Sequence, residues 1–473
     1  MRPNNSPWIK QLRRNRPIER VTENLSTDTV IVGGGIAGIS TAYFILKHTE
    51  KKVILIEGGK VAHGATGHNA GQMTSYFEKQ LSNIAKEFGN EMVRQGQKDI
   101  DSAWLLLEEM YEDAHLSTPF YQFTGYAGLS DIEEILTHLG NNMILKDDPA
   151  LIEPIMISEE SGIAAQIPAE YDGYYSVLPQ RDILSLLETE DTRFVAALSA
   201  RKGVMNSALF TEEVATYLLV HFADRFVLRE ESFVNEVILE ESFAALKIGE
   251  HKVVAEKVIL CTNGFEKFSI INHAGADIDK EFHHSVSGAI GYMAGYLDER
   301  NHPPAAISYI MNSDKDEVKS GAFDSDPYFY LTRRPFENEL NQKHNLISVG
   351  GPDVPLEDTS TYSKEEHEYS EEAFQAIDSF LHKSFKSAPK GDIPYAFHWH
   401  GLMGYTPSGV RLIGAEPHNS ALLYNLGCNG VGILPSIYGA RRIARIVAGE
   451  KIERSIFDPK YNDSLGTKTV IVD

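Results

Sequence analysis

Within residues 29–57 an apolar run, Val30-Ile31-Val32, meets Gly33-Gly34-Gly35-Ile36-Ala37-Gly38, and a helix-like segment then leads to Val53-Ile54-Leu55-Ile56-Glu57. Strand, glycine turn, helix, strand and acid in that order predict a parallel α/β unit built around a dinucleotide. Gly33 permits the tight turn off the first strand, Gly35 lets the backbone approach a pyrophosphate, and Gly38 lets the helix lie close on the strand. The helix that follows directs free N–H groups and a positive dipole end at the phosphates. Glu57 ends the second strand nineteen residues after Gly38, near the spacing of an acid that hydrogen-bonds a ribose hydroxyl and disfavours a 2′-phosphate.

A chain of 473 residues exceeds what one core usually serves, so two units are expected. A hydrophobic fraction of 42% and an aromatic fraction of 10% describe an ordinary globular protein. The net charge of −23 argues against nucleic-acid binding and favours attraction of cationic solutes. Cys261 and Cys428 lie far apart, which implies neither a disulfide framework nor a cysteine zinc site and fits a reducing, cytoplasmic setting. No apolar run approaches the ~20 residues of a membrane span. Residues 8–21 are basic, with Lys10, Arg13, Arg14, Arg16 and Arg20, but lack the apolar stretch of a signal peptide. They read as an extension packed on the body or partly mobile, with a transit peptide as the alternative, since acids begin only at Glu19.

Residues 78–114 carry helical periodicity, with Val93, Ile100, Trp104 and Leu107 on one face as core. Residues 121–203 are mixed and read as a separate unit. Residues 226–240 and 244–261 read as strands, and the second runs into Thr262-Asn263-Gly264, a turn that suggests a return to the nucleotide unit. Further strands are expected over 286–296, 328–332 and 346–349, and a helix over 365–385 with Phe374, Ile377, Leu381 and Phe385 along one stripe. Near the C-terminus a strand over 422–426 precedes Gly427-Cys428-Asn429-Gly430-Val431-Gly432, and residues 436–447 read as a helix with Pro435 near its start and Gly449 as its cap. A second strand, glycine turn and helix thus brackets the ligand from the other end of the chain.

The N-terminal glycine motif, the loop Gly64-Ala65-Thr66-Gly67-His68-Asn69-Ala70-Gly71-Gln72, and the stretch from Trp399-His400-Gly401 through Thr406-Pro407-Ser408-Gly409 to Gly430-Val431-Gly432 together resemble the D-amino-acid-oxidase-type (DAO) family of FAD-dependent oxidoreductases. The likeness is strongest to the branch of γ-glutamylputrescine oxidoreductase, glycine and sarcosine oxidases and dimethylglycine dehydrogenase. It implies an α/β (α+β) fold, with a Rossmann-like FAD-binding domain and a substrate domain on a largely antiparallel sheet. The expected division is 1–26 extension; 27–115, 204–268 and 395–473 FAD-binding domain and tail; 116–203 and 269–394 substrate domain. The resemblance implies that FAD meets Gly33, Gly35, Ile36, Ala37 and Gly38 at the pyrophosphate, and Glu57 and Gly58 at the adenosine ribose. Gly64, Ala65, Thr66, His68, Asn69, Ala70, Gly71 and Gln72 would lie near the flavin and Val234 at the adenine. Thr262, Asn263 and Gly264 would lie beneath the cofactor, and Gly430, Val431 and Gly432 at the pyrimidine end.

The resemblance also implies a reaction, oxidation of the C–N bond of an amine or amino acid by hydride transfer to flavin, with hydrolysis of the imine product. The flavin carries that chemistry, so no acid–base residue is required, and the electron acceptor stays open. His68 matches a position that carries the covalent flavin link in dimethylglycine and sarcosine dehydrogenases. Many relatives have arginine there, and noncovalent FAD is the expectation here, with a His68 link as the alternative. Gly401 stands where a cysteinyl link would be. Leu434 and Phe77 stand where sarcosine oxidase carries basic carboxylate partners, so Arg333 and Arg334 are the remaining clamp candidates, or else a solvated strand end. The aromatics at 328–330, with Tyr292 and Tyr296, are candidates for an amine pocket or for core. His398 and His400 lack clustered carboxylates, so no metal site is expected. Competing readings are an NAD-linked dehydrogenase, which leaves the C-terminal glycine turn idle, and a flavin-binding protein without turnover.

Overall fold

The first sheet is parallel at its centre, where Phe226–Arg229, Val53–Ile56, Leu25–Val32, His251–Leu260 and Asn419–Leu426 lie side by side. Covered on both faces, these strands are continuous apolar runs, with Val30, Ile31, Leu55, Ile56, Val258, Ile259 and Leu260 all buried. This computed structural model describes residues 3–279, 286–311 and 328–459. Helices Ile36–His48 and Ile433–Val447 pack against each other. The second begins earlier than the sequence suggests, because Pro435 falls in its first turn, where the missing N–H has no helical partner to lose.

Residues 78–114 divide into helices Leu81–Phe88, Asn90–Asp101 and Ala103–Ala114, and Val93, Ile100, Trp104 and Leu107 enter the core they share with the paired helices. The second sheet runs Tyr395–Tyr405, Ser287–Asp298, Lys343–Leu356, Tyr328–Glu337, Ala305–Ile310, Phe120–Leu129, Ala196–Met205, Ile155–Ser158 and Tyr175–Leu178. It is antiparallel except where Ala305–Ile310 meets Phe120–Leu129 and Ile155–Ser158 meets Tyr175–Leu178. Helix Glu371–Ser384 lays Ile377, Phe380 and Leu381 on one face of it. It starts at 371 rather than 365 because the Ser370 hydroxyl accepts the Ala373 N–H at 3.1 Å and so caps it.

Strand pairing moves two of the expected divisions. Tyr395–Tyr405 bonds to Ser287–Asp298, and so belongs with the second sheet rather than the nucleotide unit. Ser269–Asn272 bonds to Glu236–Leu239 in the first. In both cases an apolar strand goes to the edge that can satisfy its backbone, a choice that local composition does not reveal.

The N-terminal extension is packed. Trp8 is fully buried and Val21 joins the core of the first sheet. Arg14 and Arg16 both pair with the buried Glu230, and Arg16 also with Glu212, its Nε donating at 2.6 Å. The carboxylate of Glu230 accepts the Val61 N–H as well, at 2.7 Å, which ties the extension to the loop after Glu57. Among the described residues no helix is long and apolar enough to cross a membrane.

Candidate functional site

A cavity of about 460 Å³ runs from the first glycine turn to the face of the second sheet. Gly33, Gly35, Ile36, Ala37, Glu57, Gly58, Gly64, Ala65, Thr66, His68, Asn69, Ala70, Gln72, Val234, Thr262, Asn263, Gly430, Val431 and Gly432 all border it. Three expected residues, Gly38, Gly71 and Gly264, stand behind that wall. A Cβ on Gly38 would overlap the Gly33 carbonyl oxygen, so Gly38 sets how closely the helix lies on the turn without itself facing the cavity.

Glu57 does more than cap a strand. Its Oε2 accepts the Gly34 N–H at 2.6 Å and its Oε1 the Gly59 N–H at 2.7 Å, so the carboxylate clamps the glycine turn to the loop beyond it. Burial raises its pKa, and those two N–H groups oppose the rise. Thr66 reaches the start of the helix, where its hydroxyl accepts the Ile36 N–H at 2.9 Å.

Loop 64–72 is pinned from several sides. Asn69 donates to the Thr66 carbonyl and to the Ser207 hydroxyl, each at 2.8 Å, while its Oδ1 accepts the Gly71 N–H at 2.7 Å. Ser6 donates to the Gly67 carbonyl at 2.5 Å. The indole N–H groups of Trp8 and Trp399 converge on the Asn69 carbonyl at 2.5 and 3.1 Å. Nothing in the composition of residues 3–10 signals this docking.

His68 borders the cavity with Nδ1 at 3.0 Å from the Gly64 carbonyl. A carbonyl only accepts, so Nδ1 carries the proton and Nε2 keeps its lone pair. Burial pushes the imidazole down to about 4, so it is neutral at physiological pH. A Cβ on Gly401 would overlap the His68 carbonyl, so a side chain at 401 would have to displace the loop. Cys261 is buried, its thiol pushed up to about 12, and acts as packing. Cys428 borders the cavity, and its N–H donates to Asn263 Oδ1 at 2.8 Å.

The candidate carboxylate clamp is not in the site. Arg333 is buried in a bidentate pair with Glu188, at 2.7 Å on both arms. Arg334 stacks on Trp8, 4.5 Å from the ring centroid, and donates to Gln11. Neither borders the cavity and neither is a solvated strand end. Phe77 stacks on Phe457, and Leu434 is fully buried. Tyr292 donates to or accepts from His367 Nε2 at 2.7 Å, and Tyr296 lies in the core. Tyr328 and Tyr330 do border the cavity, whereas Phe329 points away and stacks on Phe380. Among the described residues no cluster of His, Cys, Asp or Glu is arranged to hold a metal.

Sequence reasoning missed Tyr76, Glu78, Asp353 and Arg411, which all border the cavity. Glu78 and Asp353 come from distant segments, and strand alternation around Tyr328, Tyr330 and Asp353 was the available signal. Both carboxyls are shifted upward by burial, and Asp353 reaches about 8 with the charge of Glu78 as the second cause. Arg411 is buried, its Nε donating to Asn425 Oδ1 at 2.8 Å and its Nη2 to the Asn425 carbonyl at 3.0 Å.

The chain matches the family model for DAO, FAD dependent oxidoreductase, over residues 28–446. It is 30% identical over 78 residues to γ-glutamylputrescine oxidoreductase of Escherichia coli (strain K12), covering 16% of this chain and 18% of that protein. It is 46% identical over 50 residues to mitochondrial dimethylglycine dehydrogenase of Homo sapiens, covering 11% of this chain and 6% of that one. The matched segments therefore span less than a fifth of either relative. Among solved structures, glycine oxidase from Geobacillus kaustophilus superposes with a TM-score of 0.59 at 14% identity, covering 92% of this chain and 98% of the other. NikD, an unusual amino acid oxidase of nikkomycin biosynthesis, superposes with a TM-score of 0.63 at 12% identity, covering 93% and 98%. L-α-glycerophosphate oxidase from Mycoplasma pneumoniae, solved with FAD bound, superposes with a TM-score of 0.57 at 14% identity, covering 94% and 100%. With the glycine turn, its acid and the opposing helix around one cavity, and with a family match that spans both sheets, the chain belongs to the DAO family of FAD-dependent oxidoreductases.

Proposed function

We propose that this enzyme oxidises the C–N bond of a small amine or amino acid. The carrying observation is that one cavity joins the dinucleotide turn to a pocket of Tyr76, Glu78, Tyr328, Tyr330 and Asp353 over the second sheet. The residues present suit FAD, since Gly33 and Gly35 border the cavity at positions where a Cβ would strike the Cys261 carbonyl and the Thr66 hydroxyl, so the turn stays tight for a pyrophosphate, and Glu57 borders the same cavity where a ribose would lie. The adenine would rest near Val234, the flavin between loop 64–72, Thr262 and the second sheet, and its pyrimidine end at Gly430 to Gly432. FAD when bound supplies a two-electron acceptor for hydride from the substrate α-carbon.

The chain's own residues then orient and desolvate. The N-terminus of helix Ile433–Val447 borders the cavity and favours negative charge beside Gly432. Tyr76, Tyr328 and Tyr330, which border the cavity, would hold the substrate and exclude water. The amine nitrogen, after its carbon gives up hydride, loses a proton to leave an imine, and water converts this to a carbonyl compound and a smaller amine. A cytoplasmic enzyme fits the two unpaired cysteines.

The test is anaerobic mixing of the holoenzyme with amines and amino acids while the visible flavin absorbance is followed. Substrate-dependent bleaching with release of a carbonyl product is expected. A spectrum that no such compound changes would leave a flavin-binding protein without turnover.

A further inference from the structure

We propose that the second-sheet end of the cavity is built for an amine carrying a second positive charge, a dication of the α,ω-diamine class, rather than for an amino acid held by its carboxylate. This deepens the C–N oxidation reading and rests on it.

The observations converge on two acids. Asp353 lies on strand Lys343–Leu356 directly opposite Gly291 and is 8% exposed. Its Oδ1 has no hydrogen-bond partner among the described residues. That oxygen lies 3.1 Å from where a Cβ on Gly291 would stand, and Gly291 itself borders the cavity, so the missing side chain leaves room in front of the carboxylate. Glu78 approaches from the flavin-side turn, with its carboxyl carbon 3.2 Å from the position of a Cβ on Gly430. Its Oε1 accepts the Tyr328 O–H at 2.5 Å. Tyr328 and Tyr330 share a strand face with ring centroids 5.6 Å apart, and Tyr76 adds a third ring to the wall.

Charge balance decides which ligand fits. A buried carboxylate without a partner is costly, and the pair responds by holding protons more tightly, Asp353 up to about 8. Among the described residues no side-chain cation is hydrogen-bonded or ion-paired to either, although the charge of Lys202 opposes the rise at Glu78. Of the basic residues bordering the cavity, His68 is neutral and Arg411 is tied to Asn425 under the first sheet. Lys267 adjoins Phe268, which packs against the cluster holding Val234. The buried Lys202 donates its ammonium to Ser308 Oγ at 3.2 Å and the Tyr126 carbonyl at 3.4 Å rather than to either acid. A ligand carboxylate would add a third acid to this end. A ligand ammonium would meet the free Asp353 oxygen, displace its proton and face tyrosine rings that favour cations.

The experiment compares α,ω-diamines of increasing length with the monoamine and the ω-amino acid of the same length, using anaerobic holoenzyme. The best diamine is expected to exceed its monoamine in the second-order rate of flavin bleaching by about 10- to 100-fold, the range of a buried hydrogen bond to a charged group. Asp353→Asn and Glu78→Gln, neutral isosteres that keep the fold, are expected to cut that ratio about tenfold. Calorimetry of the chemically reduced holoenzyme, which cannot accept hydride, in buffers of different ionisation enthalpy adds a readout independent of turnover, in which the diamine releases a proton on binding that Asp353→Asn does not release. Equal use of monoamines, preference for the ω-amino acid, or a ratio untouched in both variants would overturn the dication site while leaving C–N oxidation standing. Absence of bleaching by every amine and amino acid would instead overturn the C–N reading itself.

Discussion

Replacing Trp8 tests whether the N-terminal extension is part of the flavin site. The indole is fully buried, meets Trp399 edge-on at 6.2 Å, lies under the Arg334 guanidinium at 4.5 Å and donates to the Asn69 carbonyl. Truncation to alanine removes this packing and leaves a buried guanidinium without its ring, which places the cost at about 3–5 kcal/mol. Trp8→Phe keeps most of the buried area and loses the indole N–H. Trp399 still donates to the Asn69 carbonyl at 3.1 Å, so that change should cost only about 1 kcal/mol. An unfolding entropy of roughly 2.1 cal/mol/K per residue over a chain of this length gives on the order of 1 kcal/mol/K. Thermal midpoints should therefore fall by about 3–5 °C for Trp8→Ala and about 1 °C for Trp8→Phe. FAD retained through desalting should fall with the alanine variant, because loop 64–72 loses a support. A Trp8→Ala protein with the wild-type midpoint and flavin content would refute the argument. A phenylalanine variant as damaged as the alanine one would show that the hydrogen bond, not burial, carries it.

Three other outcomes follow from the geometry. Glu57→Ala should lower FAD affinity at least tenfold, since it strips the acceptor from the Gly34 and Gly59 N–H groups at about 1–3 kcal/mol each; unchanged binding in a flavin titration would refute the clamp. Acid precipitation of the wild type should leave FAD in the supernatant; flavin in the pellet, lost in His68→Ala, would place a covalent link on the unprotonated Nε2. Asp353 keeps its proton to about pH 8 in the fold, against an ordinary value near 4, so its contribution to apo-protein stability is greatest below about pH 4 and declines as pH rises to about 8. Asp353→Asn should accordingly gain over wild type in thermal midpoint between pH 5 and 8.5, and a constant difference would contradict the sign.

The first glycine motif was legible because its parts are contiguous. Turn, helix and acid lie within thirty residues, and each role follows from backbone geometry. The same holds for the C-terminal turn at Gly430 to Gly432 and for the apolar faces through Val93, Ile100, Trp104 and Leu107. Arg333 and Arg334 misled because adjacent charges on a strand look available, and only packing shows one spent on Glu188 and the other on Trp8 and Gln11.

The sequence by itself determined the FAD-dependent family, the glycine turn, helix and acid that border one end of the cavity, and the second helix that closes on it. Tertiary structure alone decided what faces the other end of the cavity. Glu78, Tyr328 and Asp353 converge because a loop after the first unit and two strands of the second sheet meet across a wall opened by Gly291, and no local pattern records such a meeting. Backbone requirements repeat at short range and leave their mark in the sequence, whereas the chemistry of a pocket depends on which distant side chains the fold leaves without partners.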